Sequence, residues 1–428
     1  MNHRGLVFIL DGLGDRPCRQ LRGRTPLEAA KTRALDRMAR LHQCGMMDPL
    51  APGRCVDTHV GAGILLGLPP REALSLRRGP VEAAGIGLDM RAGDVLWRAN
   101  FARIEAGAGA NGGYRILDRR AGRIRGGETE SLCAALNSAL RDDPLAPGIG
   151  ASLHAATQHR AVLQLRGENL SAQVSDTDPG GPGAARGVQR AAPLVEDAAA
   201  RATADAVNRF TARAHQLLSG HPVNTARASR GQCPANGVLL RGAGAHHPPR
   251  NMLARLRLKV AVVAGEKTVL GLGNLFGFTC ITDESFTSLP DTNIAGKLRA
   301  ALDALARHDL VFVHIKGTDI AAHDKNPLLK AACISRFDRE LSRVQLDDTV
   351  VAVCADHSTD SRRGEHNADA VPVLLRHVGG RRDRVRYYNE IDCIDGGLGR
   401  ISAHAFLCMV LDAMGAAGGM NGGLEALD

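Results

Sequence analysis

Acidic and imidazole side chains follow three apolar segments of this sequence, directly or within a few residues of each segment's end. They are Asp11 after GLVFIL, Asp319 and His323 after LVFVHI, and Asp356 and His357 after TVVAVC. A single aspartate after a strand is usually a turn or helix-capping residue. Repetition after three segments instead favours a shared site. Carboxylate and imidazole groups together are typical ligands of Mn²⁺ and Zn²⁺.

A sixth candidate ligand, His366, lies in the segment RRGEHNADAVPV. Six ligands are too many for one metal ion with an open position, but they suit two ions that share a cleft. Two metal ions about 3.5–4 Å apart can stabilise both the attacking and the leaving oxygen of a phosphoryl transfer. Mn²⁺ is the expected metal, Zn²⁺ and Co²⁺ also fit, and Mg²⁺ is less favoured by nitrogen ligands.

Thr58 is the candidate nucleophile for such a transfer. It begins the segment THVGAGILLGLPP, whose small and apolar residues indicate the start of a helix. A hydroxyl at a helix N-terminus and near a metal ion would have its alkoxide form stabilised by both positive charges. The alternative is that Thr58 only caps the helix. The spacing leaves both interpretations open.

The elements that must position these residues alternate between strands and helices. GLVFIL, LVFVHI, TVVAVC and AVPVLLR are predicted strands, because each is a short continuous apolar run. TPLEAAKTRALDRMARLHQCG is a predicted helix that starts with a capping box of Thr25 and Glu28 and stops at Gly45. NPLLKAACISRFDREL and GRISAHAFLCMVLDAM are further predicted helices. This alternation predicts an α/β fold whose mostly parallel sheet has helices on both faces.

In a parallel sheet the carboxyl ends of the strands lie at one edge, where ligands bind. The candidate ligands should therefore converge there. Residues 88–255 have a different pattern, with the predicted strands RAVLQLRG and GVLLRGAG, one long helix and loops rich in Gly and Pro. We expect this segment to be an inserted α+β domain. Residues 1–87 and 256–428 would then form the metal-binding core.

The composition argues against several other functions. Hydrophobic residues make up 44% of the 428 residues and the formal charge is +9, but the basic residues are scattered and aromatic residues make up only 3%. Nucleic-acid binding is therefore not expected. No apolar run reaches the roughly 20 residues of a membrane span. None of the ten cysteines forms C-x-x-C, so a zinc ribbon is excluded, and we expect a cytoplasmic protein with reduced thiols that acts on a small molecule.

Taken together, several motifs in this chain resemble the archaeal-type 2,3-bisphosphoglycerate-independent phosphoglycerate mutases of the alkaline phosphatase superfamily. The motifs are VFILDGLGDRP, MDPLAPG, RRGPVEAAGIGLD, VSDTDP, PANGVLLRGAG, VHIKGTDIAAHD and ADHSTD. The resemblance runs in order over nearly the whole chain, insert included. It implies an alkaline-phosphatase-like core, a transferase-type insert and an isomerase that interconverts 3-phosphoglycerate and 2-phosphoglycerate.

The resemblance also implies roles for individual residues. Asp11, Thr58, Asp356 and His357 would surround one metal ion, and Asp319, His323 and His366 would hold the other. Phosphothreonine at Thr58 would be the intermediate. The candidates for binding the phosphoglycerate are Asp118, Arg119, Arg123, Arg160, Asp176 and Arg241 in the insert, and Lys316 in the core.

Two departures from the family pattern leave an alternative function open. Family members usually have serine where this chain has Thr58, and a histidine often follows the DTDP motif where this chain has Gly180 and Gly181. Both differences lie where the substrate would be selected. The alternative is therefore a metal-dependent phosphohydrolase that acts on a small phosphate or phosphonate metabolite, with water resolving the phosphoenzyme.

Overall fold

The computed structural model describes residues 3–107, 113–180, 187–245 and 250–416. Gly181, named above, lies outside these residues. In the described part of the chain the strands are β1 Arg4–Leu10, β2 Gln43–Asp48, β3 Val95–Glu105, β4 Arg115–Asp118, β5 Gly150–Ala155, β6 Arg160–Arg166, β7 Gly237–Ala245, β8 Val260–Val263, β9 Thr279–Ile281, β10 Leu310–Ile315, β11 Thr349–Cys354, β12 Ser358–Asp360, β13 Glu365–Asn367, β14 Val371–Arg376 and β15 Gly399–Ser402.

The α-helices of the same residues are α1 Pro26–Ala29, α2 Arg33–Leu41, α3 Thr58–Leu65, α4 Pro70–Ser75, α5 Arg78–Gly85, α6 Gly127–Asp142, α7 Ala198–Ser219, α8 Pro222–Ser229, α9 Met252–Arg255, α10 Lys267–Leu275, α11 Ile294–Leu305, α12 Gly317–His323, α13 Pro327–Leu341 and α14 Ala403–Ala413. Among these helices, none combines the length and the apolar character that a membrane span requires.

The described residues divide into two compact units, one within Met1–Leu76 and Pro248–Asp428, the core unit, and one within Arg77–His247, the insert unit. Residues 77–87, which the sequence assigned to the core, thus belong with the insert. The reason is that α5 packs tightly on the insert sheet: a Cβ added at Gly79 would lie 2.0 Å from the carbonyl oxygen of Leu96. Residues 250–255 belong with the core, where the side-chain amide of Asn251 donates to the carbonyl oxygen of Leu66.

The core unit contains an eight-stranded sheet with the order β15-β2-β14-β11-β1-β10-β8-β9. Strand β1 lies between β10 and β11 and is parallel to both, and β8 and β9 extend the parallel arrangement. Strand β14 pairs antiparallel with β11 and β2, and β15 is parallel to β2. Within this sheet, therefore, β14 alone runs against the others. The predicted α/β class with a mostly parallel sheet is confirmed.

Helices cover both faces of this sheet. The side chain of Phe8 in β1 packs against Phe337 of α13, with ring centroids 5.3 Å apart. Gly5 is three positions away and so points to the opposite face. A Cβ added at Gly5 would lie 2.5 Å from the sulfur of Met414, which directly follows α14. Helices α13 and α14 therefore lie on opposite faces.

The sequence predicted one helix from Thr25 to Gly45. The structure instead divides this segment. The capping box of Thr25 and Glu28 is present, but α1 ends at Ala29 and α2 starts anew at Arg33. The restart has a tertiary cause, because the carboxylate of Asp338 in α13 accepts the backbone N–H group of Leu35 at 2.8 Å. Gly45 lies in β2, where it leaves room for β15: a Cβ there would be 2.6 Å from the carbonyl oxygen of Gly399.

The insert unit is built around an antiparallel sheet. Strand β3 pairs with β6 and β7 on its two sides and with β4 near its end, and β5 pairs with β6. Trp97 and Phe101 of β3 belong to a core cluster that includes Leu136 of α6 and Phe210 of α7. The opposite face carries Leu96, packed near α5, and the polar residues described below. An antiparallel sheet with separate helices agrees with the α+β character predicted for this segment.

Candidate active site

Three neighbouring strands deliver the candidate ligands to one edge of the core sheet. The register pairs Leu10 with Ile315 and Ile9 with Cys354. Continuing this register by one residue beside β10 and by two residues beside β11 places Asp11 next to Lys316 and Asp356. The backbone N–H of Asp11 continues the ladder by donating to the carbonyl oxygen of Ile315 at 3.0 Å. The convergence inferred from the sequence thus has its origin in the order β10-β1-β11.

The six candidate ligands fall into two groups of three. Asp11, Asp356 and His357 form the first cluster, and Asp319, His323 and His366 form the second. Within each cluster, one ligand atom from every residue lies within 4.8 Å of the others. The two groups are those that the family resemblance implied. Asp319 and His323 are both on α12, where a spacing of four residues places their side chains on the same face.

In the second cluster the hydrogen bonds of the two imidazoles fix which nitrogen atoms face each other. The Nδ1 atoms of His323 and His366 contact the carbonyl oxygens of Gly364 at 2.7 Å and Val56 at 3.0 Å. A carbonyl only accepts, so each Nδ1 carries the proton and each neutral ring presents the lone pair of Nε2. These two Nε2 atoms are 3.2 Å apart, and His323 Nε2 is 3.3 Å from Asp319 Oδ2. Converging lone pairs of this kind suit a cation.

Electrostatics lead to the same conclusion in the first cluster. Burial and the neighbouring Asp11 raise the pKa of Asp356 to about 6. Burial opposes a charge on His357, but Asp356 and Asp11 raise the pKa of this imidazole to about 9. Both shifts reflect concentrated negative charge away from water. Asp356 Oδ2 is also buried without a donor in hydrogen-bond geometry. The residues of both clusters therefore fit divalent metal ions.

The Thr58 hydroxyl lies beside both clusters. Thr58 is the first residue of α3 and the N-cap is Asp57, so the capping interpretation of Thr58 is not supported. Thr58 Oγ1 is 3.0 Å from Lys316 Nζ and 3.2 Å from His357 Nε2. The approach of α3 depends on Gly61, where a Cβ would lie only 1.9 Å from the carbonyl oxygen of Asp356.

Lys316 links the hydroxyl to the carboxylates. Its Nζ lies 2.9 Å from Asp11 Oδ2 and 2.7 Å from Asp319 Oδ2. Burial disfavours the charged form, but the two carboxylates raise the pKa of Lys316 above its ordinary value. The residue predicted to meet phosphate is thus a buried ammonium group shared by both clusters and Thr58.

Three residues that orient the ligands were not identified from the sequence. His314, inside β10, points its Nε2 at Asp11 Oδ2 at 2.9 Å, and the Thr318 hydroxyl donates to the carbonyl oxygen of Asp11. Thr359 contacts ligands of both clusters, as described below. His314 could have been identified from the sequence, because it is an imidazole within an otherwise apolar strand. Thr318 and Thr359 gave no signal, because single threonines are common beside strands.

In the insert unit, two of the predicted arginines meet on one face of the sheet. Register pairs Arg98 of β3 with Arg241 of β7, and Asn100 with Arg160 of β6. Arg98 and Asn100 are two positions apart and so share the face opposite Trp97. Burial, then the nearby arginines, lower the pKa of Arg98 to about 10, although Glu82 lies 3.4 Å away. We call this set of Arg98, Arg160 and Arg241 the arginine face; Arg98 was not among the residues predicted from the sequence.

Other predicted insert residues lie around this face. Asp118 accepts the backbone N–H groups of Arg120 and Gly122 at 2.7 and 2.8 Å, so its carboxylate shapes a loop. These backbone bonds outweigh burial and lower the pKa of Asp118. Arg119 forms an ion pair with Asp178, whose side chain is buried.

Asp176 and Arg123 complete the predicted set. Asp176 accepts the N–H of Gly242 at 2.7 Å, and burial raises its pKa. Arg123 is exposed but lies near His159. Burial lowers the pKa of His159, and the positive charges of Arg160 and other arginines, including Arg123, act in the same direction, so that this pKa is about 3. A buried imidazole held neutral by surrounding arginines marks a region of strong positive potential. Such a region is suited to an anion.

Fold and site together define an α/β protein with two clusters of metal-type ligands and a hydroxyl group beside them. A family model described as 2,3-bisphosphoglycerate-independent phosphoglycerate mutase matches residues 39–224. The chain is 39% identical to 2,3-bisphosphoglycerate-independent phosphoglycerate mutase 1 of Archaeoglobus fulgidus over 96% of this chain and 97% of that protein. It is 40% identical to the mutase of Methanopyrus kandleri, covering 95% of each. The chain belongs to the 2,3-bisphosphoglycerate-independent phosphoglycerate mutase family.

Solved structures agree with this assignment. The structure of a protein from Pyrococcus horikoshii matches with a TM-score of 0.78 and 29% identity, over 97% of this chain and 98% of that one. The cofactor-independent phosphoglycerate mutase of Thermoplasma acidophilum matches with a TM-score of 0.66 and 30% identity, over 96% of this chain and 100% of that one.

Proposed function

We propose that this protein interconverts 3-phosphoglycerate and 2-phosphoglycerate through a phosphothreonine at Thr58. Membership of the mutase family supports the reaction. The observation that carries the choice of Thr58 is its hydroxyl, which lies 3.0 Å from Lys316 Nζ and 3.2 Å from His357 Nε2 at the edge where both clusters meet. A hydroxyl held next to a buried ammonium group is positioned to become an alkoxide.

The reaction consists of two transfers of one phosphoryl group. Thr58 Oγ1 loses its proton and forms a bond to phosphorus, the bond from phosphorus to the 3-oxygen of the substrate breaks, and that oxygen takes up a proton. The 2-hydroxyl of glycerate then loses its proton and attacks the same phosphorus, the bond to Thr58 Oγ1 breaks, and Thr58 Oγ1 takes up a proton to restore the hydroxyl. Lys316 would donate to the phosphoryl oxygens as negative charge develops on them.

The two clusters are the proposed metal sites. Asp11, Asp356 and His357 would hold one ion, and Asp319, His323 and His366 would hold the other. When bound, divalent ions would favour the Thr58 alkoxide and neutralise phosphoryl charge. Mn²⁺ is the proposed metal, because each cluster mixes carboxylate with imidazole. We also keep a cytoplasmic location as a prediction, based on ten unpaired cysteine thiols.

We propose that the insert unit recognises the glycerate part. The arginine face, with Arg119 and Arg123 nearby, offers planar guanidinium groups that bind carboxylates in bidentate fashion. Asp118 has both oxygens committed to its own loop, so its role is to present Arg119 and not to accept a proton. Asp176, whose pKa is raised by burial, is the better candidate for a partner of a glycerate hydroxyl.

One assay tests this function. Purified protein, freed of metal and reloaded with Mn²⁺, receives 3-phosphoglycerate while both 2-phosphoglycerate and free phosphate are measured. We expect 2-phosphoglycerate without free phosphate. Thr58→Val, which keeps shape and removes the hydroxyl, should abolish the reaction, whereas Thr58→Ser should retain it. Wild-type turnover by the Val variant would refute the nucleophile.

The same assay separates the mutase from the hydrolase. Formation of free phosphate as the main product would mean that water resolves the phosphothreonine, as in a metal-dependent phosphohydrolase. That result would leave the role of Thr58 intact but reject the proposal that the insert holds glycerate for the second transfer.

A further inference from the structure

The Thr359 side chain contacts one ligand of each candidate metal cluster. Its hydroxyl oxygen lies 2.7 Å from Asp319 Oδ1 and 3.1 Å from His357 Nδ1. Asp319 belongs to the second cluster and His357 to the first. Among the contacts described above, Lys316 also touches both clusters, but it does so as a charge, whereas Thr359 does so through one neutral hydroxyl.

The proton count at this hydroxyl determines the tautomer of His357. A threonine hydroxyl has a single proton, and the Asp319 carboxylate can only accept. The proton therefore goes to Asp319, and the hydroxyl oxygen accepts the N–H of His357 Nδ1. In the neutral ring that binds a metal ion, His357 Nε2 then keeps its lone pair, which is directed into the first cluster, 3.2 Å from Asp11 Oδ1 and 3.4 Å from Asp356 Oδ2. This is the tautomer in which Nε2 can bind a metal ion.

The backbone of Thr359 is fixed from several sides. Its N–H donates to the carbonyl oxygen of Gly14 at 2.9 Å, and its carbonyl oxygen accepts from the buried Lys330 Nζ at 3.0 Å. In the hairpin of β12 and β13, Thr359 pairs directly with His366 of the second cluster. Gly12 leaves space for the hydroxyl, because a Cβ at Gly12 would lie 2.5 Å from Thr359 Oγ1. The hydroxyl thus has little freedom to turn away.

We propose that Thr359 is a positioning residue for both metal sites: its single hydroxyl orients Asp319 for one ion and fixes the tautomer of His357 for the other. The proposal rests on the two-metal function proposed above. Groups that hold metal ligands in this way typically change metal affinity roughly 10- to 100-fold when removed. Loss of one hydroxyl should therefore weaken two sites at once.

The test compares Thr359→Val, which keeps the shape, with Thr359→Ser, which keeps the hydroxyl. Thr292→Val is the matched control, because Thr292 is buried in the same unit and its Oγ1 has no hydrogen-bond partner among the described residues. Mn²⁺ binding is titrated by calorimetry in two backgrounds. His366→Gln leaves the first cluster intact, and His357→Gln leaves the second.

We expect Thr359→Val to lower Mn²⁺ affinity roughly 10- to 100-fold in both backgrounds, with Thr359→Ser near the parent and Thr292→Val unchanged. Unchanged affinity in either background, or equal loss with Thr292→Val, would overturn the proposal. Absence of Mn²⁺ binding by the wild-type protein would instead reject the two-metal function itself. If Thr359→Val does not fold, Thr359→Ala undergoes the same comparison.

A spectroscopic measurement on metal-free protein at about pH 10, above the raised pKa of His357 of about 9 so that the ring is neutral, separates positioning from general destabilisation. With ¹⁵N-labelled histidine, the His357 signals, identified by their loss in His357→Gln, should show a protonated Nδ1 in the wild type and in Thr359→Ser. In Thr359→Val we expect a mixture of both tautomers. An unchanged Nδ1 signal in the Val variant would show that Thr359 does not control the ring, whatever the affinities.

Discussion

Lys316→Met should make the stability of this protein depend on divalent metal. The Lys316 ammonium group is buried and lies 2.9 Å from Asp11 Oδ2 and 2.7 Å from Asp319 Oδ2. Methionine keeps much of the side-chain volume but removes the charge. In metal-free protein, the carboxylates of Asp11 and Asp319 would then lose the buried ammonium group that lies between them.

The expected loss follows from the burial of these groups. Removing one partner of a buried ion pair usually destabilises a protein by about 3–5 kcal/mol. For a folding unit of this size, that corresponds to a decrease in Tm of roughly 6–20 °C. With Mn²⁺ bound, the ions supply positive charge to the same carboxylates. The remaining loss is then the hydrogen bond to Thr58, about 1 kcal/mol.

The assay is thermal unfolding of wild type and variant, each measured with EDTA and with saturating Mn²⁺. Lys330→Met is the matched control. Lys330 is another buried lysine of the core unit, and its carboxylate partner, Asp15 at 2.9 Å, belongs to neither cluster. Lys330→Met should lower Tm by a similar amount in both conditions. Lys316→Met should lower Tm much more in EDTA than with Mn²⁺.

The reasoning would be refuted by either of two results. If Lys316→Met lowered Tm by the same amount with and without Mn²⁺, the ions would not replace the lysine charge. The clusters would then not be metal sites as proposed. If the variant were as stable as the wild type in EDTA, the ion pairs of Lys316 would contribute nothing to the fold.

Three further predictions concern other parts of the protein. Gly61→Ala should displace α3, because its Cβ would lie 1.9 Å from a backbone oxygen, and should lower kcat by about 100-fold. Gly127→Ala, which has no atom near the added Cβ, should leave kcat unchanged. Equal kcat values for the two variants would contradict the assigned role of α3. Arg160→Met should raise KM for 3-phosphoglycerate by roughly 10- to 150-fold. Arg213→Met, which removes a different ion pair of the insert unit, should leave KM unchanged. An unchanged KM in both variants would show that Arg160 does not bind the substrate. His159 has a pKa of about 3 in the fold, against 6.5 when unfolded, so its stabilisation is complete above pH 6.5 and is lost as pH falls towards 3. His159→Gln should therefore reduce the stability difference between pH 7 and pH 5, measured by urea unfolding, by about 2 kcal/mol, and an unchanged difference would contradict the burial of a neutral ring.

The sequence alone determined the α/β class and the nature of the candidate ligands. Apolar runs identify buried strands because a strand covered on both faces has no solvent side. Parallel strands place their carboxyl ends at one edge, so the residues after GLVFIL, LVFVHI and TVVAVC were expected to meet. The capping box at Thr25 was also readable, because a helix N-terminus is defined by contacts within four residues.

Features that depend on distant partners could not be read in this way. The helix predicted from Thr25 to Gly45 is interrupted because Asp338 provides a new N-terminal acceptor for α2. Arg98 was missed because only the register of β3 with β6 and β7 brings it beside Arg160 and Arg241. The composition of these segments contains no sign of either contact.

The ligand set of the candidate site could be named from the sequence, but its orientation could not. Residue types after strands are local information, and local information was enough to select Asp11, Asp356 and His357. Which nitrogen of His357 carries a proton depends on Thr359, and Thr359 is held by Gly14 and Lys330. Hydrogen bonds between residues far apart in the chain exist only once the sheet has formed, so tertiary structure alone decides how these ligands point.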